Sequence, residues 1–199
     1  MNSQRYKPTF ILIALNVAIY IYGAIVTGSS LVTGDSIIYQ WGQFNLAVFQ
    51  GEYYQLFTSM FIHADLVHLV GNMLFLLIFG LRGEEMFSLP EFLGIYLAGG
   101  LVGNLLSLMF GDYFISVGAS GAIFALFGAC IIYDRRSMRQ SILGALVFAF
   151  FLFFINTGEG VNILAHLGGL IFGLAMGYII GSRRKPTTEY TVRYSYSPF

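Results

Sequence analysis

The chain has 199 residues, 57% of them hydrophobic and only 10% charged, with ten cations balanced by ten acids and a mean hydropathy of +0.74. So little polar surface cannot coat a water-soluble globule of this size, which excludes a freely soluble enzyme and implies that lipid covers much of the chain. No basic aromatic stripe is present to bind nucleic acid, and the single cysteine, Cys130, is read as a buried small hydrophobe that forms no internal disulfide.

In chain order, apolar runs bounded by charge or glycine fall at 9–27, 66–81, 89–109, 118–133, 138–156 and 161–181. Most approach the roughly 20 residues that cross a bilayer as a helix. The expected fold class is therefore an all-α polytopic membrane protein with six transmembrane helices. Residues 1–8 form a short N-terminal segment, 9–181 the membrane domain, and 182–199 a polar, tyrosine-rich tail read as disordered. With six spans, all ten Lys and Arg, from Arg5 and Lys7 through Arg82 and Arg135 to Arg193, share one side. That side, with both termini, is expected to be cytoplasmic, in the cell membrane. The opposite side carries only acids: Asp35, Glu52, Asp65, Asp112 and Glu159.

Between the first two spans lies a long connection, 28–65, which carries Tyr39, Trp41, Phe44, Phe49, Tyr53, Tyr54, Phe57 and Phe61. Trp and Tyr favour the headgroup level, and backbone at that depth needs internal partners. The expectation is an interfacial loop of short helices, half sunk in the outer leaflet and roofing a cavity.

Polar residues within the apolar pattern cluster at one depth. His63 and His68 open the second span, Ser120 opens the fourth within Gly118-Ala119-Ser120-Gly121, and His166 lies near the start of the sixth. Asn72 follows His68 by one turn on the same helix face. Singly, each reads as interhelical hydrogen-bond glue or, for Ser120, as a hydroxyl bonded back along its own helix. Together they supply the parts of a nucleophilic site. Neutral histidine suits proton removal from a serine near neutral pH, so Ser120 and His166 make a dyad. The amide of Asn72, an imidazole N–H of His68 and the backbone N–H of Ser120 can then face a developing oxyanion. Asp65 reads as an N-terminal cap. Gly169 and Gly173, in Gly-x-x-x-Gly spacing after His166, offer a face by which the sixth helix can approach the fourth. Ser107, Ser116 and Cys130 are read as dispensable for this chemistry.

The three motifs "HADLVHLVGN", "GASG" and "AHLGGLIFG", in that order, resemble those of the rhomboid intramembrane serine proteases over about residues 9–181. The resemblance implies a minimal six-helix form that hydrolyses peptide bonds in or near transmembrane helices of membrane-protein substrates, without a cofactor or metal. Ser120 is then the nucleophile, His166 the general base, and His68 and Asn72 part of the oxyanion site, which opens to the extracytoplasmic side. The resemblance also implies His63 at the cavity mouth and Glu84 as a structural glutamate; Gly118 and Gly121, beside the nucleophile, are read from the residues themselves as letting the fourth helix and a substrate backbone approach closely. Two positions depart from the family pattern. Tyr54-Gln55 stands where many members carry Trp-Arg, and Phe124 stands where a tyrosine often packs on the catalytic histidine. Two other classes remain open: an inactive rhomboid-like chain that binds membrane clients, and a transporter using the three histidines as ligands. Neither substrate sequence nor oligomeric state is legible.

Overall fold

The structure, a computed structural model, describes residues 7–29, 31–137 and 161–184. The expected fifth span, 138–156, and nearly all of the tail lie outside the described residues. Eight helices and one two-stranded ribbon are described: α1 Pro8–Thr27, α2 Asp35–Trp41, β1 Gln43–Phe44, α3 Asn45–Phe49, α4 Gln55–Thr58, α5 Leu66–Met86, α6 Leu89–Ser107, β2 Ile115–Ser116, α7 Ser120–Ser137 and α8 Ile163–Arg183. Among the described residues, α1, α5, α6 extended by a 3-10 turn to Phe110, and α8 are each long and apolar enough to cross a membrane, and the apolar part of α7, Ser120–Tyr133, is shorter. The chain is a mostly helical polytopic membrane protein.

Helix α7 is central. Every residue from Gly121 to Cys130 is buried, as expected of a helix apolar on all sides. Around it stand α5, α6 and α8, and α1 packs against α5. The outer helices instead expose apolar faces, such as Ile11, Tyr22 and Ile25 on α1 or Val67, Leu74 and Ile78 on α5, where lipid takes the place of protein.

Helix α5 outruns its expected end at 81 by five residues, to Met86. Arg82, Glu84 and Glu85 break the apolar run but not the helix. Arg82 pairs with Glu85 at 2.6 Å, and Glu84 accepts the Thr9 N–H at the start of α1 at 2.9 Å. At the same end of the bundle, Arg184 reaches Glu91 at 2.5 Å, the Tyr133 hydroxyl at 2.8 Å and the Met86 carbonyl. These bonds tie the end of α8 to α5, α6 and α7.

At the opposite end, the described residues of the segment 28–65 include three short helices and a 3-10 turn, Ser59–Phe61. Gln55, fully buried in place of the arginine expected from the family pattern, holds this segment together. It accepts the Phe44 N–H at 2.8 Å and donates to the Tyr39 carbonyl and to Glu52, each at 3.1 Å. The segment is also tied to the approach to α7. β1 pairs antiparallel with β2, Gln43 opposite Ser116, and the Gly118 N–H donates to the Ser59 carbonyl at 2.9 Å.

Candidate functional site

Ser120 is the first residue of α7, two residues later than the expected start of that span. The cause is Gly118, whose φ of +120° no helix accommodates. A Cβ there would also lie 2.8 Å from Nε2 of His68. The serine thus sits at a helix N-terminus, where the first-turn N–H groups lack carbonyl partners within the helix and the dipole is positive.

His166 comes from the first turn of α8 and is buried; its Nε2 lies 2.8 Å from Ser120 Oγ. Phe124, one turn below the serine, stacks on the imidazole with ring centroids 4.5 Å apart and planes 27° from parallel. A phenyl ring therefore supplies the packing that a tyrosine supplies in the family pattern. α7 and α8 run parallel and pack closely because small residues line their seam. A Cβ on Gly169, Gly173 or Gly177 would overlap the carbonyl oxygen of Gly121, Ala125 or Ala129 respectively, each four residues further along both helices, and one on Gly121 would stand 3.3 Å from the Ala165 carbonyl. Backbone rests on backbone, which brings His166 within bonding distance of Ser120.

The α5 residues follow from its cap. The Asp65 side chain accepts the His68 N–H at 2.8 Å, and one turn on, the Asn72 amide donates to the His68 carbonyl at 2.9 Å, leaving its second hydrogen for the cavity. Ser120, His166, His68 and Asn72 line one cavity of about 300 Å³, which continues between α5 and α7 past Phe75, Phe79 and Phe127. Its described lining takes nothing from residues 28–65. The expected roof is therefore a flank: the segment braces α6 and the approach to α7, with Phe49, Tyr53 and Tyr54 exposed. His63 is outside that lining too; it is 1% exposed and meets His68 edge to face at 5.3 Å.

Burial, reinforced by the charge of His68, pushes His63 down to about 3. Below its ordinary value near 6.5 the unfolded chain takes up a proton at His63 that the folded chain refuses, so stability falls as pH falls from about 6.5 toward 3. Between pH 7 and pH 5 this amounts to about 2 kcal/mol. Thermal unfolding in detergent should show it as a lower midpoint at pH 5, and His63→Gln should narrow the difference by the share of His63, about 2 kcal/mol; equal pH slopes in the two proteins would refute the assignment.

Sequence reading missed a set of neutral polar residues behind the dyad. Asn162 caps α8, its Oδ1 accepting the Ala165 N–H at 2.9 Å, while its Nδ2 donates to Ser107 Oγ and Ser116 Oγ, both at 2.6 Å. Asn104 donates to Ser59 Oγ at 2.9 Å, and Gln43 to the Asn104 carbonyl at 3.0 Å. An asparagine just before an apolar helical run is a cap signal in its own right; its serine partners come from other elements and leave no local sign. Ser107 and Ser116, read as dispensable, are buried members of this set. Among the described residues, no group of three or more His, Cys, Asp or Glu is placed to hold a metal ion.

Comparison with known proteins finds the Rhomboid domain family model matching residues 50–183. Similar proteins include the putative rhomboid protease YdcA of Bacillus subtilis (strain 168), 30% identical over 92% of both chains. The rhomboid protease GluP of the same organism is 32% identical over 89% of this chain and 36% of its own length. RHOMBOID-like protein 6, mitochondrial, of Arabidopsis thaliana is 40% identical over 67% of this chain and 46% of its own. The chain thus spans less than half the length of the last two relatives.

Proposed function

The chain belongs to the rhomboid family, whose members include proteases, and on that premise we propose that it is an intramembrane serine endopeptidase acting on single-span or multi-span membrane proteins through Ser120 and His166. The observation that carries the reading is the 2.8 Å approach of His166 Nε2 to Ser120 Oγ in a cavity that Asn72 and His68 also line. Neutral His166 accepts the serine proton at Nε2 as Oγ bonds to the scissile carbonyl carbon. The negative charge that develops on the carbonyl oxygen meets the Asn72 amide, a His68 ring N–H and the N–H groups opening α7. Collapse of the intermediate expels the amine, which takes the proton from His166, and water then frees the acyl group by the same steps in reverse roles.

The asymmetry of cations supports cytoplasmic termini and a cavity opening on the other side, with the aromatic segment 28–65 at the interface. There, water can reach both the acyl-enzyme and the backbone groups of a substrate helix that unwinds. The test is a serine-directed fluorophosphonate applied to the detergent-solubilised protein, with the labelled peptide mapped by mass spectrometry. Labelling at Ser120 is expected; a folded protein that stays unlabelled there is an inactive relative.

Asn72→Ala is expected to lower turnover by roughly 10²–10³-fold with little change in KM, since a lost oxyanion donor acts only in the transition state. Cleavage kinetics on one substrate decide it: a raised KM at normal turnover makes Asn72 a structural partner.

A further inference from the structure

Resting on that reading of the dyad, we infer that Asn162 is the positioning residue that sets the separation between nucleophile and base. It touches neither reacting atom and is absent from the cavity lining. Its amide nevertheless joins the three elements whose relative placement fixes that separation. Through Oδ1 it caps α8 at Ala165, the residue before His166. Through Nδ2 it reaches Ser116, which ends the strand leading into Ser120, and Ser107, which ends α6. Ser107 Oγ in turn donates to the Gly103 carbonyl at 3.0 Å. Gly103 and Gly168 also meet at a close approach of α6 and α8, where a Cβ on Gly168 would stand 2.9 Å from the Gly103 Cα.

An amide is suited to this place because one planar group offers an acceptor on one side and two hydrogens on the other. The residue is 8% exposed, so each of these bonds is made away from water and its loss leaves a buried group unmatched. Two short bonds from one nitrogen bind the approach to Ser120 and the end of α6 to the helix that carries His166. Without them, β2 and the start of α8 keep their own backbone bonds but lose their direct link. The dyad distance then rests on helix packing, the α7–α8 seam and the approach of Gly168 to Gly103, without a polar tie.

The experiment uses the full chain in detergent and three variants: Asn162→Ala, Ser116→Ala and Ser88→Ala. Ser88 caps α6 at the opposite end, bonded to Glu91, and its loss serves as a control for losing a cap without disturbing the dyad. Asn162→Ala should slow fluorophosphonate reaction at Ser120 and lower kcat, each by roughly tenfold to 10²-fold, with KM unchanged. Ser116→Ala, which keeps the α8 cap, should show a smaller loss in the same direction. Ser88→Ala should lower the thermal midpoint without changing either rate. Wild-type reaction rates in both Asn162→Ala and Ser116→Ala overturn the inference and leave Asn162 a helix cap; should Asn162→Ala fail to fold, the rate of Ser116→Ala decides alone. A wild-type protein that never labels refutes the dyad itself, a result separate from either of these.

Discussion

Ser120→Ala and His166→Ala are each expected to lower cleavage of a single-span substrate in liposomes by on the order of 10⁴–10⁶-fold, the range seen when one member of a nucleophile–base unit is removed. The two groups share one proton at 2.8 Å, so neither retains much of the rate without the other. The double variant should consequently be no slower than the worse single one. Both alanines are smaller than the residues they replace. Ser120 is half-buried beside the cavity, and the removal of its hydroxyl leaves the α7–α8 seam intact, so that variant should keep its thermal midpoint. His166→Ala withdraws the ring that Phe124 stacks on, and some stability goes with it. Near wild-type cleavage by Ser120→Ala would end the proposed mechanism.

Gly169→Ala should lower the rate by about 10²-fold although it touches no reacting group. The added methyl overlaps the Gly121 carbonyl oxygen, and because the obstacle is backbone, no side chain can swing away to relieve it. α8 has to shift off α7 at the residue following Ser120 and three residues after His166. Overpacking of this kind costs about 1–3 kcal/mol, and a displacement near 1 Å at the dyad costs about 10²-fold in rate. Gly94→Ala is the matching control: it is also helical, and a Cβ there meets nothing within 4 Å, so it should be neutral or slightly stabilising through helix propensity. Fluorophosphonate reaction rates and thermal midpoints of the two variants test this together. Equal rates would show that the seam has room the structure does not suggest.

Much of this architecture was legible from local pattern. Apolar runs located α1, α5, α6 and α8 to within a few residues at most ends, and the spacing of His68 and Asn72 placed both on one face of α5. The start of α7 was not legible, since hydropathy does not register the φ of Gly118 and the apolar run continues through it. Nor was the end of α5, where backbone helical hydrogen bonds continue through charged residues after hydrophobicity stops. The bonds of Gln55 replaced those expected of an arginine because an amide can both accept from Phe44 and donate to Tyr39. The set around Asn162 was beyond reach for a different reason: its serine partners lie 46 and 55 residues away along the chain, and only the packed bundle brings them together.

The order of the site residues along the chain bears on how the protein is made. A chain synthesised from its N-terminus delivers His68 and Asn72 first, then Ser120 on α7, and His166 only with α8, the last described helix. Until α8 arrives, a nascent chain displays a hydroxyl and its oxyanion donors but lacks the imidazole that stands 2.8 Å from Ser120 Oγ. Under the proposed chemistry it cannot cut neighbouring proteins at the insertion machinery or itself. The position of one histidine in the order of synthesis supplies that restraint under the proposed chemistry, and the docking of α8 on α7 brings the proposed base to Ser120.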